Sequence, residues 1–302
     1  EMSFRQSEGD ATVKLFAGSY VKTDLAALAE RLKDVDAIVF AGGISPQLEG
    51  EEMPVKVPGF IGGDRTTIML PVVQTALLKA LKATGKPLVF VMLTGSAIAI
   101  PWEDENIPAI VNAWYGGQSA GTAVADVLFG DYNPAGRLPV TFYKSDNDLP
   151  GFSDYSMNGR TYRYFKGDAL YPFGYGLSYS SFTYSNLKVV PQLKKGINTK
   201  VSVTVKNTGK LGGEEVVQLY LSHQGNVKAP LKALKSFQRI FLKAGESKNL
   251  VYTLTPEQLS LIGEDGKSYQ PKGKIMISVG GGQPGVKNKS TSNVISKAIT
   301  IQ

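Results

Sequence analysis

The residues best suited to carry out a reaction are carboxylates grouped in one loop. Glu49, Glu51 and Glu52 fall within four positions, shortly after the apolar strand signal of residues 36–43. The loops at the carboxyl ends of strands in a parallel sheet are where ligands bind, and crowded like charges raise one another's pKa. A carboxyl group with a raised pKa is suited to general acid catalysis near neutral pH. From spacing alone, a solvated acidic loop is the competing interpretation.

A second group of charged residues follows a stretch rich in glycine and proline. Asp64 and Arg65 are adjacent, and such a pair can fix a loop or grip a sugar hydroxyl. An ordinary surface ion pair is the competing interpretation, because exposed ion pairs are common and contribute little to stability.

The composition excludes several other catalytic centres. The 302 residues include no cysteine and a single histidine, His223. Disulfides and thiol nucleophiles are therefore absent, and too few soft ligands remain for zinc. His223 is predicted at a strand end, far in sequence from any candidate serine, which favours a surface histidine over a Ser-His-Asp triad. No GxGxxG follows Gly42 and Gly43, so no dinucleotide site is predicted. We expect no metal and no cofactor.

Charge and hydropathy limit the possible partners. The formal net charge of +7 is spread along the chain and not gathered into a block, which favours solvated faces over nucleic-acid binding. No apolar stretch is long enough to span a bilayer, so we expect no membrane span.

Helix and strand signals alternate in the first half, where the carboxylate loop lies. This succession predicts a parallel sheet covered by helices, which is an α/β three-layer sandwich with a mostly parallel sheet. The predicted helices cover residues 24–33, 74–84 and 118–129, and the predicted strands cover residues 36–43, 86–93 and 110–114.

The pattern changes in the second half. Residues 131–184 are rich in proline, glycine and aromatics, which predicts an ordered linker whose rings either join two domains or line a sugar site. From residue 182 the apolar period becomes two, with polar turns, which predicts an all-β sandwich and a boundary near residue 180. The predicted strands are 200–206, 215–221, 237–242, 248–254 and 274–279.

Several motifs together resemble the C-terminal part of family 3 glycoside hydrolases, over essentially the whole chain beyond the first twenty residues. The α/β-domain motifs are AIVFAGGISPQLEGEE at 37–52, GDRTTIMLP at 63–71, WYGGQSAGTAVADVLFG at 114–130 and NPAGRLPVTF at 133–142. Those resembling the joint to an immunoglobulin-like, fibronectin type III-like domain are RTYRYF at 160–165 and YPFGYGLSY at 171–179.

The resemblance implies a retaining exo-glycosidase that uses two carboxylates. In the family, the nucleophile is an aspartate on an N-terminal barrel and the acid/base is a glutamate on a loop of the α/β domain. By position, Glu51 matches the acid/base best. Glu49 is the second candidate, because it precedes a glycine as the family residue often does. Asp64 and Arg65 are expected to bind substrate.

The same resemblance implies the remaining expectations. The domains are 1–144 (α/β), 145–181 (linker) and 182–302 (fibronectin type III-like). The expected partners are a xylo- or gluco-oligosaccharide, with β-xylosidase favoured over β-glucosidase, and the N-terminal barrel of the same enzyme. The expected location is periplasmic or secreted. A non-catalytic carbohydrate-binding or structural module, inert without the barrel, is the alternative.

The sequence also departs from the family pattern. Residues 53–63 separate the glutamates from Asp64 and Arg65, which many members place only a few residues apart. The strand that normally opens the domain is indistinct in residues 1–20, and no barrel with its nucleophile is present. These departures suggest a fragment or a split subunit.

Overall fold

The computed structural model describes residues 24–286 and 290–302, so the indistinct opening strand of residues 1–20 lies outside it. The first half, up to the joint, alternates strands and helices, as predicted. Its elements are α1 Leu25–Arg31, β1 Ile38–Gly43, β2 Lys56–Val57, β3 Phe60–Ile61, β4 Asp64–Arg65, α2 Val72–Ala83, β5 Leu88–Leu93, α3 Pro101–Asn106, β6 Ala109–Asn112 and α4 Ala120–Phe129.

A parallel sheet forms the centre of this half. Its described strands lie in the order β1-β5-β6, with Ile38 opposite Leu88 and Phe90 opposite Ile110. Phe90 in β5 and Leu78 in α2 are fully buried, so α2 packs its apolar stripe on the sheet. The parallel direction brings the carboxyl ends of all three strands to one edge. The three-layer arrangement stays a prediction.

Two features of this half were not predicted from the sequence. Helix α3 has only six residues and starts with Pro101 at its first turn, so it offers no helical period to detect. Strands β2, β3 and β4 are two residues each and form a small antiparallel sheet in that order. This sheet is made by residues 53–63 together with Asp64 and Arg65, the stretch that departs from the family spacing.

The described part of the second half is built of strands joined by turns. The strands are β7 Phe182–Lys188, β8 Gln192–Leu193, β9 Thr199–Asn207, β10 Gly213–His223, β11 Ala233–Leu242, β12 Ser247–Leu254, β13 Leu261–Ile262, β14 Ser268–Tyr269, β15 Gly273–Gly280 and β16 Val294–Ile301. They form a five-stranded sheet, β11-β10-β15-β16-β8, a three-stranded sheet, β12-β9-β7, and the two-stranded hairpin β13-β14. The inward residues of the two larger sheets make one apolar core, which confirms the expected β-sandwich. The exact domain limits stay predictions.

A buried ion pair joins the proline- and aromatic-rich residues 131–181, called the linker from here on, to the sandwich. Arg137 Nη2 lies 3.1 Å from Glu215 Oε1, with side-chain exposures of 6% and 0%. Ser292 Oγ donates to the other carboxylate oxygen at 2.8 Å, and Arg137 Nε donates to the Gly281 carbonyl at 3.3 Å. Burial raises the pKa of Glu215, and the Arg137 charge opposes that rise. Each buried charge therefore has a partner, which burial of ions requires.

Aromatic and amide side chains extend this joint. Tyr162, in the short helix α5 Thr161–Tyr164, stacks on Phe173 with ring centroids 4.3 Å apart and meets Tyr220 of β10 edge-on at 6.2 Å. Gln218 of β10 donates from Nε2 to the Gly174 carbonyl at 3.0 Å. These contacts favour the interpretation of the linker aromatics as packing between the halves.

Removing one partner of the buried pair is expected to destabilise the chain strongly. Glu215→Ala leaves the Arg137 guanidinium buried without a counter-charge, so we expect a loss of about 3–5 kcal/mol in the free energy of unfolding. Urea unfolding followed by circular dichroism measures the change. The neighbouring Glu214→Ala is the matched control, because Glu214 pairs with Arg239 at the surface and should cost less than about 1 kcal/mol. Equal losses in the two variants would contradict the expectation.

Candidate active site

The loop that carries the glutamates leaves β1 at a glycine with positive φ. Gly43 has a φ of +125°, and a Cβ there would lie 1.9 Å from the Leu93 carbonyl oxygen of β5. The Gln74 side chain of α2 binds both backbone groups of Gly43, accepting from its N–H at 2.8 Å and donating to its carbonyl at 2.6 Å. Glycine is therefore required at this position, and the start of the loop is fixed to two neighbouring elements.

Among the described contacts of the three glutamates in this loop, the side-chain hydrogen bond belongs to Glu49. It is half-buried, and Ser96 Oγ, in the loop after β5, donates to its Oε1 at 2.9 Å. Arg65 Nη1 in turn donates to Ser96 Oγ at 3.0 Å and to the Ala97 carbonyl at 3.2 Å. The structure thus brings together Glu49 and Arg65, two of the four residues predicted for the site.

The other predicted residues face solvent. Glu51, Glu52 and Asp64 are exposed, and no side-chain hydrogen bond or ion pair to another described residue holds Glu51 or Asp64. Glu52 has a φ of 49°, a conformation that is uncommon outside glycine and asparagine. Among the described residues, Glu49 is therefore held by a side-chain hydrogen bond and Glu51 is not.

The small sheet β2–β4 brings the Asp64–Arg65 pair back to the glutamate loop in space, although the two are separated in sequence. Gly50 N donates to the Gly63 carbonyl at 3.2 Å, and Met53 N donates to the Gly62 carbonyl at 2.9 Å. The residues between form a hairpin that folds back on the loop. Although residues 53–63 intervene in sequence, Arg65 thereby returns to the neighbourhood of Glu49.

A tyrosine that the sequence reasoning did not select completes the group. Tyr115 follows β6 and donates from its hydroxyl to the Ile44 carbonyl at 2.6 Å. Partial burial raises the pKa of Tyr115, and the nearby Glu49 charge raises it further. The available signal was its place directly after the third strand of the sheet, because Glu49, Ser96 and Tyr115 follow β1, β5 and β6 at the same edge.

Arg65 is the positive charge of this cluster. Partial burial lowers the pKa of its guanidinium, while Glu49 and Asp146 act in the opposite direction. Asp146 also accepts hydrogen bonds from Thr67 Oγ1 at 2.6 Å and from Ile68 N at 2.7 Å. The segment between the two halves therefore helps to hold the strand that carries Arg65.

The arrangement supplies acid–base and hydrogen-bonding groups. A carboxylate, a serine hydroxyl, a guanidinium and a phenol meet at one edge, which suits binding of hydroxyl-rich ligands and proton transfer to an oxygen.

Within residues 24–286 and 290–302, no cluster of histidine and acidic side chains has the arrangement of a metal site. His223 lies at the end of β10, remote in sequence from this edge, and is half-buried instead of on the surface as expected.

Comparison with known proteins identifies the family. The model of the glycosyl hydrolase family 3 C-terminal domain matches residues 5–179, more than half of the chain. The chain belongs to glycoside hydrolase family 3. The fibronectin type III-like domain model matches residues 215–283, within the β-sandwich. The family resemblance seen in the sequence motifs is therefore confirmed for both halves.

Named relatives include both xylosidases and glucosidases. A xylan 1,4-beta-xylosidase from Xylanibacter ruminicola is 49% identical over 271 residues, which cover 89% of this chain and 31% of the relative. A periplasmic beta-glucosidase from Salmonella typhimurium is 40% identical over 240 residues, covering 75% of this chain and 31% of the relative. The family 3 chain thus spans about a third of the length of the curated relatives it matches.

Solved structures agree with the fold. A β-glucosidase from Erythrobacter marinus superposes with a TM-score of 0.78 at 34% identity, covering 92% of this chain and 36% of that one. A beta-glucosidase from Listeria innocua, in complex with isofagomine, has the same TM-score at 26% identity, and the match covers 94% of this chain and 40% of that one.

None of the helices described here has the length and apolar composition that a bilayer crossing requires.

Two adjacent glycines allow the contact between loop and small sheet to be tested. A Cβ on Gly63 would lie 1.9 Å from the Gly50 carbonyl oxygen, whereas a Cβ on Gly62 would meet no atom within 4 Å. Both have positive φ, at 93° and 66°, so both alanine variants carry a similar backbone cost of about 1–2 kcal/mol. Gly63→Ala should lose about 1–3 kcal/mol more, because the loop must move.

Urea unfolding of the two variants measures this difference, and amide hydrogen exchange in residues 48–53 shows whether the loop has moved. Faster exchange is expected in Gly63→Ala alone. Equal stability and equal exchange in the two variants would show that the close approach of Gly63 to Gly50 does not hold the glutamate loop.

Proposed function

We propose that this chain is the C-terminal part of an exo-acting, retaining β-glycosidase and that it supplies the general acid/base from the loop of Glu49 and Glu51. The second carboxylate of such a reaction is the nucleophile, which we assign to an N-terminal barrel domain of the same enzyme. The oligosaccharide substrate binds where that barrel meets the carboxyl edge of β1, β5 and β6.

The single observation that carries the proposal is the position of Glu49. Its carboxylate is half-buried and bonded to Ser96, which Arg65 holds from a third element. An acid/base must be held close to the leaving oxygen, and a side chain locked by supporting hydrogen bonds meets that need. This geometry favours Glu49 over Glu51, the first candidate from the sequence.

The carboxyl group is assigned one role in each of two reaction steps. In the first step it gives its proton to the glycosidic oxygen while the nucleophile forms the glycosyl-enzyme. In the second step the resulting carboxylate takes a proton from the water that attacks the anomeric carbon. The hydroxyls of Ser96 and Tyr115 and the guanidinium of Arg65 hold the loop and are available to sugar hydroxyls. No cofactor is needed for these steps.

Terminal β-D-xylose is the proposed substrate residue, with β-D-glucose as the second candidate. The relative at 49% identity is named a xylan 1,4-beta-xylosidase, and the relative at 40% identity is named a beta-glucosidase. The ratio of kcat/KM values of the full-length protein on nitrophenyl xyloside and nitrophenyl glucoside decides between them. A periplasmic or secreted location stays a prediction.

Substitution of the two glutamates in the full-length protein tests the acid/base. Glu49→Ala should lower kcat on substrates with poor leaving groups by about 10²–10⁴-fold. Its loss on activated nitrophenyl glycosides should be smaller, and azide should restore turnover, because azide needs no general base to attack the glycosyl-enzyme. Glu51→Ala is the matched control, two positions away in the same loop, and should retain most activity.

The reverse result, with the leaving-group dependence and azide rescue in Glu51→Ala, would transfer the role to Glu51. Absence of both effects in both variants would contradict an acid/base in this loop. The 302-residue chain alone should turn over neither nitrophenyl substrate. Turnover by this chain would show that the nucleophile has been assigned to the wrong domain.

A non-catalytic module is the second candidate function. The extensive contacts between the linker and the β-sandwich, such as Arg137 with Glu215, favour a bracing role for the sandwich. Calorimetric titration of the chain with xylo- and gluco-oligosaccharides separates the candidates, because a stand-alone sugar-binding module should release measurable heat.

A further inference from the structure

A cavity of about 650 Å³ lies at the end of the β-sandwich near the β13–β14 hairpin. The family 3 reaction proposed above does not use it. Four basic side chains line it, together with the rings of Tyr164 and Tyr269: Arg163, His223, Lys228 and Lys235. The cavity therefore combines positive charge with aromatic surface.

The cationic side chains come from two parts of the fold that are bound together. The Arg163 carbonyl accepts from Leu231 N at 2.7 Å, and the Tyr162 hydroxyl accepts from Leu234 N at 3.1 Å. Helix α5 is thereby fixed along the chain that leads into β11, which carries Lys235. Arg163 and Lys235 are brought near one another by backbone contacts and not by attraction between their side chains.

No ion pair among the described residues neutralises the charges at this end of the cavity: Lys235 is half-buried, Arg163 is exposed, and neither belongs to such a pair. The Arg163 guanidinium lies 5.9 Å from the centroid of the Tyr164 ring. Burial lowers the pKa of Lys235, and the Arg163 charge lowers it further. Burial likewise lowers the pKa of His223, and the Lys235 charge adds to the effect. Like charges held together in this way stabilise a bound anion.

Acidic groups also line the cavity. Glu264 is paired with Lys228, and both side chains are largely exposed. Glu257 is exposed as well. Both glutamates are screened by solvent, and among the ion pairs of the described residues neither is bound to Arg163 or Lys235.

We propose that this cavity binds an oxyanion, held by the guanidinium of Arg163 and the ammonium of Lys235. The oxyanion is a carboxylate or sulfate-like group, and the rings of Tyr164 and Tyr269 suit one that is carried on a sugar ring. His223 Nε2 has no hydrogen-bond partner among the described residues, and the imidazole lies beside the bound charge. The proposal does not depend on the identity of the acid/base.

The single histidine gives a direct measurement. One imidazole signal of the 302-residue chain is followed by nuclear magnetic resonance during pH titrations in D-glucuronate, inorganic sulfate or D-glucose, with the ionic strength kept constant with chloride. A bound anion favours the imidazolium form, so the His223 titration midpoint should rise by roughly half a unit or more, and saturably, with glucuronate or sulfate. D-Glucose should leave it unchanged.

Variants test the two cations. Lys235→Met and Arg163→Gln should each weaken the oxyanion effect at least about tenfold, since each removes a charge-assisted hydrogen bond. Lys248→Met is the matched control, because Lys248 is an exposed lysine of β12 outside the cavity. Retention of the dispersed spectrum and of the thermal midpoint shows that each variant remains folded.

The outcomes separate the possible ligands. Tighter binding of glucuronate than of sulfate identifies an oxyanion on a sugar, and binding of sulfate alone identifies a free oxyanion; both support the site. Failure of both anions to shift the midpoint saturably at concentrations up to ~50 mM, well above the millimolar range of weak ligands, overturns the proposal. An equal loss in Lys248→Met, or an equal shift with D-glucose, also overturns it.

Discussion

The burial of one charged pair constrains how the two halves of this chain meet. Arg137 and Glu215 both lose their water, and burial of an ion is costly unless its partner and its remaining hydrogen bonds are supplied. Ser292 and the Gly281 carbonyl supply them. The hydrogen bonds of Arg137, Glu215, Ser292 and the Gly281 carbonyl therefore fix one position of the linker on the β-sandwich. The aromatic contacts of Tyr162 add to this attachment.

The same linker reaches the edge where the glutamates lie. Asp146 holds Thr67 and Ile68, immediately after the short strand that carries Arg65, and Arg65 supports Ser96, which binds Glu49. Residues 65–68 are thus tied by polar contacts to the linker on one side and to the carboxyl edge of the parallel sheet on the other. Supporting contacts of this kind position a group that a loop contributes.

Much of the fold followed from the sequence because the apolar period is clear in its longer elements. Helix α2 and strands β1 and β5 were predicted to within a few residues, and the five predicted strands of the sandwich are all present. Helix α3 and strands β2–β4 were not predicted, because elements of two to six residues carry no measurable period. The sequence pointed to the glutamate loop, but the contacts of Ser96, Tyr115 and Arg65 around Glu49 depend on which strand ends are neighbours, and sequence spacing does not contain that information.

Strand β10 has a consequence for exchanging modules between enzymes of this kind. It presents Glu215, Gln218 and Tyr220 to the linker, and each meets a different partner: a guanidinium, a backbone carbonyl and an aromatic ring approached edge-on. A foreign β-sandwich of identical topology would be grafted successfully only if one of its own strands offered a carboxylate, an amide and a phenol at the same three spacings. Compatibility between donor and acceptor thus depends on residues 215–220 together with Ser292 and the Gly281 carbonyl, and chimaeras are best designed by transplanting the linker together with its own β-sandwich.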